Sequence, residues 1–313
     1  MPPAAEPTTR VAYLGPQGTF CEQALLTQPD LAAAELVSLP SITEVIDAVA
    51  SSEVDCGMVP LENAIEGAVN VTLDTLTFDV DLFIQREVVI SVQMNLLGVA
   101  GARIEDIRRV VSIPVATAQC RTFLRNKLPG VATVAANSTA EAAQMLAEDP
   151  DPATAAIGTA LAAEIYGLDV LADEIEDHPE NSTRFGVLAP GGIPAPTGHD
   201  KTTIVVFQAA DQPGSLLAIL QEFSARAINL TNLHSRPTKR GLGDYCFLID
   251  LEGHVDDELV ADCLRDLKSK QADVKFLGSY PAAGAHGESM RRDADARWRS
   301  ADAWLSELRS QIR

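Results

Sequence analysis

Apolar and polar positions follow one pattern over roughly the first 190 residues and a different pattern after residue 200. In the first part, short apolar runs such as RVAYLG (10–15) alternate with segments such as GAVNVTLDTLTF (67–78), whose apolar residues recur at helical spacing. The runs predict strands and the helical spacing predicts helices. The alternation of the two therefore favours an α/β fold with parallel sheets covered by helices.

This α/β pattern occurs twice within the first part, which we take as one domain over 10–190. One block covers about 11–86 with 185–190, and the other covers 88–184. Two strands are predicted where the blocks meet, DLFIQREV and VISVQMNLLGV, and one helix is predicted over 116–127. Two such blocks suggest two lobes with a cleft between them. Ligands of open α/β sheets bind beyond the carboxyl ends of the strands, so we expect the site in that cleft.

The chain after residue 190 predicts a linker, a small domain and a tail. Glycine and proline recur through 191–200, which is typical of a linker. The strands and helices predicted over 201–280 follow the order βαββαβ, a ferredoxin-like domain. In the tail, 281–313, residues Ala294, Trp298, Ala301, Leu305, Leu308 and Ile312 are spaced as on one face of a helix. We expect this tail helix to dock on another surface.

Composition narrows the function further. The 313 residues are 46% apolar and 22% charged, and no window approaches the roughly 18 apolar residues of a membrane span. The N-terminus has no basic-then-apolar signal pattern, so we expect a cytoplasmic protein. Five scattered cysteines and five dispersed histidines give no metal-ligand spacing, and we expect neither a metal nor a cofactor. A net charge of −20 argues against nucleic-acid binding.

The segment NSTRFGVL (181–188) places one arginine between a hydroxyl and an aromatic ring at the start of a predicted strand. An acidic run over 173–180 precedes it, so Arg184 could simply pair with that surface loop. Similarly, GPQGTF could be an ordinary strand–turn–helix junction, and Glu62 with Asn63 could be helix caps. Taken singly, these segments do not decide between structural and chemical roles.

Taken together, they resemble the prephenate dehydratase family with its C-terminal ACT regulatory domain. The matching motifs are YLGPQGTF (13–20), VPLENAIEGAV (59–69), ATAQC (116–120), NSTAEAA (137–143), NSTRFGVL (181–188), PGSLLAILQEF (213–223), NLTNLHSRP (229–237) and YCFLID (245–250). They occur in the family's order across about 11–280. Two departures stand out: Ile113 replaces a common histidine, and His234 replaces the glutamate of a Glu-Ser-Arg-Pro motif.

The resemblance implies a two-lobed, periplasmic-binding-protein-like catalytic domain followed by the ACT domain. It implies conversion of prephenate to phenylpyruvate, water and carbon dioxide in L-phenylalanine biosynthesis, with feedback regulation by L-phenylalanine. It also implies a homo-oligomer, either a dimer or a tetramer. Arogenate remains an alternative substrate, because nothing in the sequence excludes it. A third hypothesis is a non-catalytic two-lobed binding protein with an attached amino-acid sensor.

The resemblance also assigns residues to roles. Thr183 is the expected donor to the departing hydroxyl, with Glu62 as the alternative acid. Strand alternation puts Thr183 and Phe185 on one face and Arg184 on the other, so Arg184 either grips substrate or braces the lobes. Substrate contacts are expected from Gly18, Thr19, Phe20, Asn63, Ser138, Thr139 and Asn181, although Ser138 could equally be only a helix cap. The expected effector contacts are Pro213, Gly214, Ser215, Leu216, Leu230, Thr231, Asn232 and His234.

Overall fold

The computed structural model describes residues 9–208, 210, 212–239, 244–283, 304, 309 and 310. These form two compact units. Unit 1 contains the described residues up to Thr75 together with Val88–Pro190, and unit 2 contains Leu76–Glu87 and the described residues from Gly191 onward. The predicted tail helix lies almost entirely outside the described residues. Within them, every helix is too short or too polar to cross a membrane.

Strands and helices alternate through unit 1 as the apolar pattern predicts. The strands β1 to β15 cover Arg10–Leu14, Glu35–Leu39, Cys56–Asn63, Gly67–Ala68, Phe83–Ser91, Asn95–Gly98, Arg109–Ser112, Ala132–Ala135, Thr154–Gly158, Asp169–Ala172, Ser182–Ala189, Asp200–Phe207, Leu230–Pro237, Tyr245–Glu252 and Asp273–Pro281. The helices α1 to α10 cover Phe20–Leu26, Pro29–Ala32, Ile42–Ala50, Asn70–Phe78, Pro114–Gln119, Arg121–Lys127, Thr139–Glu148, Ala160–Tyr166, Ser215–Ala225 and Glu258–Lys270. A 3-10 turn covers Ile104–Asp106.

The first lobe of unit 1 is built on the sheet β2-β1-β3-β11-β5, with β4 paired to β3. Its core contains Val11, Tyr13, Met58, Val88 and Phe185. Helix α3 begins at a side-chain cap: the Ser41 hydroxyl accepts from the amide of Glu44 at 3.1 Å. Such caps satisfy an amide that has no intrahelical partner, which fixes where each helix leaves its sheet.

The second lobe is built on the sheet β10-β6-β9-β7-β8. The strands β7, β8 and β9 run parallel, but β6 is antiparallel to β9 and β10, as β11 is to β3 in the first lobe. The predicted parallel pairing therefore holds for part of each sheet, and both sheets are mixed. Strands β6 and β11 each follow a strand of the other lobe without a helical crossover, and a parallel neighbour requires such a crossover.

Two element boundaries also differ from prediction. Strand β5 continues through the predicted break at 88/89. The single helix predicted over 116–127 is two helices, α5 and α6, separated at Cys120, whose φ of −108° and ψ of 16° leave the helical region. No glycine or proline marks the break at Cys120, so the local pattern could not reveal it. Positions 88 and 89 also carry no such breaker, which agrees with a continuous β5.

Unit 2 has the predicted βαββαβ order, with an antiparallel sheet β13-β14-β12-β15 and the helices α9 and α10. Its core contains Ile204, Ile219, Phe223, Ile249 and Leu267. The segment Leu76–Glu87 belongs here and not with the first lobe, where the sequence pattern placed it. Phe83 contacts Phe276 edge-to-face, with ring centroids 5.8 Å apart, which explains why this segment joins the unit 2 core.

Candidate active site

Thr183 and Asn63 lie opposite each other where β3 ends and β11 begins. The antiparallel register pairs Thr183 with Asn63 and Arg184 with Glu62. Thr183 is 9% exposed and Asn181, two residues earlier, is 1% exposed. Asn63 and Asn181 are 118 positions apart in the chain, and the sheet brings their motifs together.

The orientation of the Asn63 amide is fixed by its neighbours. Its Oδ1 accepts from the backbone amides of Ile65 and Glu66, both at 3.0 Å. Its Nδ2 therefore faces the other way and donates to Thr183 Oγ1 and Asn181 Oδ1, both at 2.9 Å. Because an amide nitrogen has no lone pair to offer, Thr183 can only accept from Asn63. The hydroxyl hydrogen of Thr183 is thereby left to donate elsewhere.

The hydrogen-bond chain continues into the second lobe through Gln119. Asn181 Nδ2 donates to Gln119 Oε1 at 3.2 Å, and Gln119 Nε2 donates to Glu66 Oε1 at 2.9 Å. Gln119 is 8% exposed and ends α5. It was not among the predicted site residues, although it lies within the matching motif ATAQC. We call Glu66, Gln119, Asn181, Asn63 and Thr183 the amide chain.

Arg184 and Phe185 take separate positions, as adjacent residues of a strand do. The register with β3 shifts between them: Arg184 pairs with Glu62 and Phe185 with Pro60, so the extra residue, Leu61, lies on β3, and burial along the start of β11 still alternates. Arg184 Nε lies 3.4 Å from Glu62 Oε2, with 12% of the arginine side chain exposed. Phe185 is 2% exposed and packs in the core of the first lobe. The structure thus puts Arg184 beside Glu62 and gives Phe185 a packing position, away from the amide chain.

The glycine turn Gln17–Gly18 is held by both lobes. Gly18 has a φ of +87°, and a Cβ there would lie 2.8 Å from the Cβ of Ala162. Its carbonyl accepts from the Thr159 hydroxyl at 2.6 Å, and the Gln17 carbonyl accepts from Tyr166 at 3.0 Å. Thr159 and Tyr166 belong to the second lobe. Only glycine allows the turn to approach α8 this closely.

Two donors of this turn, one of them an amide expected to bind substrate, are already used. The Gly18 amide donates to Glu22 Oε2 at 2.5 Å, and the Thr19 hydroxyl donates to the Leu14 carbonyl at 2.8 Å while capping α1. The expectation that the Gly18 amide binds substrate is therefore corrected. The first amides of α1, those of Phe20 and Cys21, have no intrahelical acceptor and are the donors that the turn presents.

The titratable groups beneath this turn have structural positions. Glu22 is 6% exposed and accepts from the Tyr13 hydroxyl at 3.1 Å. Burial, aided by the nearby Glu22, raises the pKa of the Tyr13 phenol, and burial raises the pKa of the Cys21 thiol to about 12. A buried thiol of this kind is a poor nucleophile, so Cys21 offers no covalent chemistry. Among the described residues, no three metal-binding side chains converge.

Ser138 and Thr139 occupy the start of α7. The Ser138 hydroxyl accepts from the Glu141 amide at 2.9 Å, and Thr139 is 7% exposed. The structure thus shows Ser138 as a helix cap, the alternative that the sequence left open. Neither residue takes part in the amide chain.

The predicted effector residues divide into two groups. A cavity of about 420 Å³ lies at the start of α9 and is lined by Gln208, Gln212, Gly214, Ser215, Leu216, Leu217, Leu220, Ser235, Tyr245 and Phe247. Gly214, with a φ of +93°, caps α9, and the Ser215 hydroxyl bonds to the carbonyls of Ala210 and Gln212. Pro213, Leu230, Thr231, Asn232 and His234 are not part of this lining, and the last four lie on β13, an edge strand.

Both units match known protein families. Residues 11–192 match the family model described as Prephenate dehydratase, and residues 202–269 match the ACT domain. The prephenate dehydratase of Mycolicibacterium gilvum is 40% identical over 310 residues, covering 96% of this chain and 98% of the relative.

Two solved structures resemble the whole chain. The prephenate dehydratase of Arthrobacter aurescens, solved in complex with L-Phe, has a TM-score of 0.85 and 39% identity, covering 96% of this chain and 100% of that one. GqqA, described as a novel type of quorum-quenching acylase, has a TM-score of 0.78 and 29% identity, covering 88% and 98%.

Proposed function

Because this chain belongs to the prephenate dehydratase family and carries its ACT domain, we propose that it converts prephenate to phenylpyruvate, water and carbon dioxide. The observation that carries the mechanism is the hydrogen bond from Asn63 Nδ2 to Thr183 Oγ1. It makes the threonine oxygen an acceptor and leaves its hydrogen to point at a bound substrate. We infer the reaction from membership of the family, and we infer the hydrogen-bond donor from this geometry.

The reaction breaks two bonds of the substrate ring. The bond from the ring to its carboxylate breaks and releases carbon dioxide, and its electron pair completes the aromatic ring. The bond from the ring to the hydroxyl breaks at the opposite carbon, and the departing oxygen takes up a proton to leave as water. Thr183 stabilises that oxygen by donating a hydrogen bond as negative charge develops on it. A donor positioned before the reaction needs no reorganisation at the transition state.

Glu62 is the weaker candidate for this role. Its carboxylate lies 3.4 Å from Arg184 Nε and is 35% exposed. That arrangement uses Glu62 as the charge partner of Arg184, and it holds the guanidinium beside the start of β11. We therefore assign Arg184 to bracing this strand end, with Glu62 as its support, and we assign the donor role to Thr183.

The substrate is a dianion, whereas the chain has a net charge of −20. Positive potential must therefore come from local groups. The first amides of α1 are expected to bind one carboxylate, with Asn63 and Asn181 fixing the polar groups beside the ring. Binding in a site shielded from water strengthens each of these interactions.

The ACT domain makes this enzyme a target of feedback control. We propose that L-phenylalanine binds the cavity at the start of α9 and inhibits the enzyme, which acts in the cytoplasm as a homo-oligomer. The Arthrobacter aurescens relative was solved with L-Phe, which supports the choice of effector. The cavity wall supplies apolar surface from Leu216, Leu217 and Phe247 for an aromatic side chain. The β13 residues Asn232 and His234 remain proposed contacts.

The acylase activity of GqqA is a different chemistry, and the geometry disfavours it here. An acylase that used Thr183 as nucleophile would need a base to take the hydroxyl proton. The partner of Thr183 is Asn63 Nδ2, which donates and cannot accept a proton. Arogenate stays the alternative substrate, because it presents the same ring to Thr183.

The direct test is turnover of prephenate by the purified chain, followed as phenylpyruvate formation, with arogenate assayed in parallel. We expect turnover of prephenate and a lower kcat/KM for arogenate. An enzyme that turns over arogenate better would replace the proposed substrate while leaving the site assignment intact. Absence of turnover with both substrates would overturn the proposal.

A further inference from the structure

Strand β5 is shared between the two units. Its first residues, Phe83 to Glu87, belong to unit 2, and its last residues, Val88 to Ser91, belong to unit 1. In the sheet of the first lobe, β5 lies next to β11, which carries Thr183. The division falls between Glu87 and Val88, two adjacent residues whose side chains point to opposite faces of the strand.

Glu87 is held by the ACT domain through a buried ion pair. Its Oε1 lies 2.9 Å from Lys201 Nζ, and 1% of the Glu87 side chain and 19% of the Lys201 side chain are exposed. Its other oxygen accepts from the Ala283 amide at 3.3 Å. A buried carboxylate that loses its cationic partner is strongly destabilised, because the protein cannot replace the lost hydration. Glu87 must therefore follow Lys201 when Lys201 moves.

A movement of Glu87 would reach the first lobe through Val88, the next residue of β5. Val88 is 4% exposed and packs in the same core cluster as Phe185 and Val187 of β11. Phe185 is two residues from Thr183. Because this core is closely packed, a shift of Val88 displaces Phe185 and the strand that carries the hydroxyl donor.

Lys201 is in turn connected to the effector cavity by a single strand. It lies at the start of β12, whose pairing with β14 and β15 runs the length of the strand from Lys201 to Phe207. The next residue, Gln208, lines the cavity at the start of α9. Seven residues of extended chain, roughly 23 Å, separate the two positions. Strand β12 thus reaches from the cavity to the buried ion pair.

We propose that the Lys201–Glu87 ion pair couples the effector cavity to Thr183, through β12, β5 and the core cluster that Val88 shares with Phe185. The proposal rests on the proposed regulation by L-phenylalanine and adds the route by which it acts. Occupation of the cavity shifts β12, Lys201 carries Glu87 with it, and the amide chain loses the alignment that aims the Thr183 hydrogen. Where this shift also weakens binding in the active site, the coupling is reciprocal, and a ligand bound there changes phenylalanine affinity by the same factor.

The test is a thermodynamic cycle on the full-length protein. The affinity for L-phenylalanine is measured by calorimetry with and without saturating phenylpyruvate, and inhibition of prephenate turnover is measured on the same samples. Two variants break the pair: Lys201→Met and Glu87→Gln, the second of which keeps the shape of the side chain and its bond to Ala283. Lys201→Arg preserves the charge and is the rescue variant.

Asp81→Asn is the matched control. Asp81 pairs with Lys275 at 3.1 Å in the same unit, but it is 96% exposed and precedes β5. The Asp81→Asn substitution removes the same charge as Glu87→Gln, but from an exposed ion pair, whose loss water can compensate. A purely electrostatic effect on the unit would therefore appear in both variants.

For the wild type we expect a change in phenylalanine affinity of about 5- to 150-fold between the two conditions, the usual range for allosteric coupling. In Lys201→Met and Glu87→Gln, the ratio of phenylalanine affinities with and without phenylpyruvate should fall to within about twofold of one. Both variants should still bind phenylalanine and should keep their turnover in the absence of the effector. Lys201→Arg and Asp81→Asn should keep the wild-type ratio.

An intact ratio in both pair-breaking variants would overturn the proposed route. A wild type that shows neither an affinity ratio different from one nor inhibition of turnover by L-phenylalanine would overturn both the route and the proposed regulation, while prephenate turnover would stand by itself. Inhibition at a ratio of one that survives in both pair-breaking variants would overturn the route alone. A loss of the ratio in Asp81→Asn as well would also overturn the route, because the effect would then come from charge alone.

Discussion

Replacing the Thr183 hydroxyl tests the role of this residue most directly. Thr183→Val exchanges the hydroxyl for a methyl group of similar size, and Thr183→Ala removes both groups on the β carbon. If the hydroxyl stabilises the departing oxygen, both variants should lower kcat about 10²- to 10⁴-fold, the usual contribution of such a donor. At about 1.36 kcal/mol per factor of ten, this is about 3 to 5 kcal/mol of transition-state stabilisation. KM should change little, because the bond strengthens only as charge develops.

The fold should tolerate this change. Asn63 Nδ2 keeps Asn181 Oδ1 at 2.9 Å and the Ser182 carbonyl at 3.3 Å as acceptors when the Thr183 oxygen is absent. The loss is then one intramolecular hydrogen bond, about 0.5–1.5 kcal/mol of unfolding free energy. For a domain of this size, that lowers Tm by a few degrees, roughly 2–4 °C per kcal/mol. Thermal unfolding therefore separates a catalytic loss from a folding defect.

Asn63→Asp tests the direction of the hydrogen bond. The new carboxylate keeps an acceptor for the amides of Ile65 and Glu66 but presents an oxygen to Thr183 where the amide presented a hydrogen. Thr183 then donates to that carboxylate and no longer to substrate, so kcat should fall nearly as far as in Thr183→Val. Thr183→Ser keeps the hydroxyl and should retain kcat to within about tenfold of the wild type, less than the loss of a complete donor. A Thr183→Val enzyme whose loss is confined to KM would refute the donor role.

The remaining predictions concern the ACT domain and the tail. Calorimetry on the intact protein should show L-phenylalanine binding, and a flat titration would remove the proposed effector. The Asp266 carboxyl accepts from Arg226 and Lys270, which lowers its pKa below the ordinary 3.8. Its contribution to stability is therefore present above that value and lost as the pH falls through the lower folded value, so the Tm difference between wild type and Asp266→Asn should shrink on acidification. Deleting 285–313 should reduce the size or stability of the oligomer in sedimentation, and an unchanged sedimentation, melting and turnover profile would contradict the docking of the tail.

Many of the helices and strands follow from local sequence signals. The structure differs from the prediction where contacts between residues far apart in sequence determine the outcome. The hydroxyl caps at Ser41 and Ser138 fix where α3 and α7 begin, because each involves residues close in sequence. The break at Cys120 and the continuity of β5 have no such signal. Residues 76–87 belong to unit 2 because Phe83 joins the core of that unit. The spacing of apolar residues predicts that a side chain is buried, but it does not predict which core the side chain joins.

The same distinction holds at the site. The family motifs give the identities of Thr183, Asn63 and Asn181, but not which end of the Asn63 amide faces the threonine. That orientation depends on the turn after β3, which aims the amides of Ile65 and Glu66 at Oδ1. Likewise, alternation predicted a shared face for Thr183 and Phe185, and both are buried, but the irregular pairing with β3 beside Arg184 could not be predicted. Such irregularities depend on the partner strand, so they are not written in the local sequence.

The amide chain also links catalysis to the relative position of the two lobes. Gln119 belongs to the second lobe, while its partners Asn181 and Glu66 lie beside the strands of the first. Asn181 Oδ1 shares Asn63 Nδ2 with Thr183, so a movement that withdrew Gln119 would free Asn181 and loosen the amide that orients the hydroxyl. Hydrogen-bond chains of this kind in a shielded interior reinforce one another, so losing one member weakens the rest. In its proposed role, the Thr183 hydroxyl is therefore aimed at the substrate only in this arrangement of the lobes, in which Thr159 also donates to the carbonyl of the glycine turn.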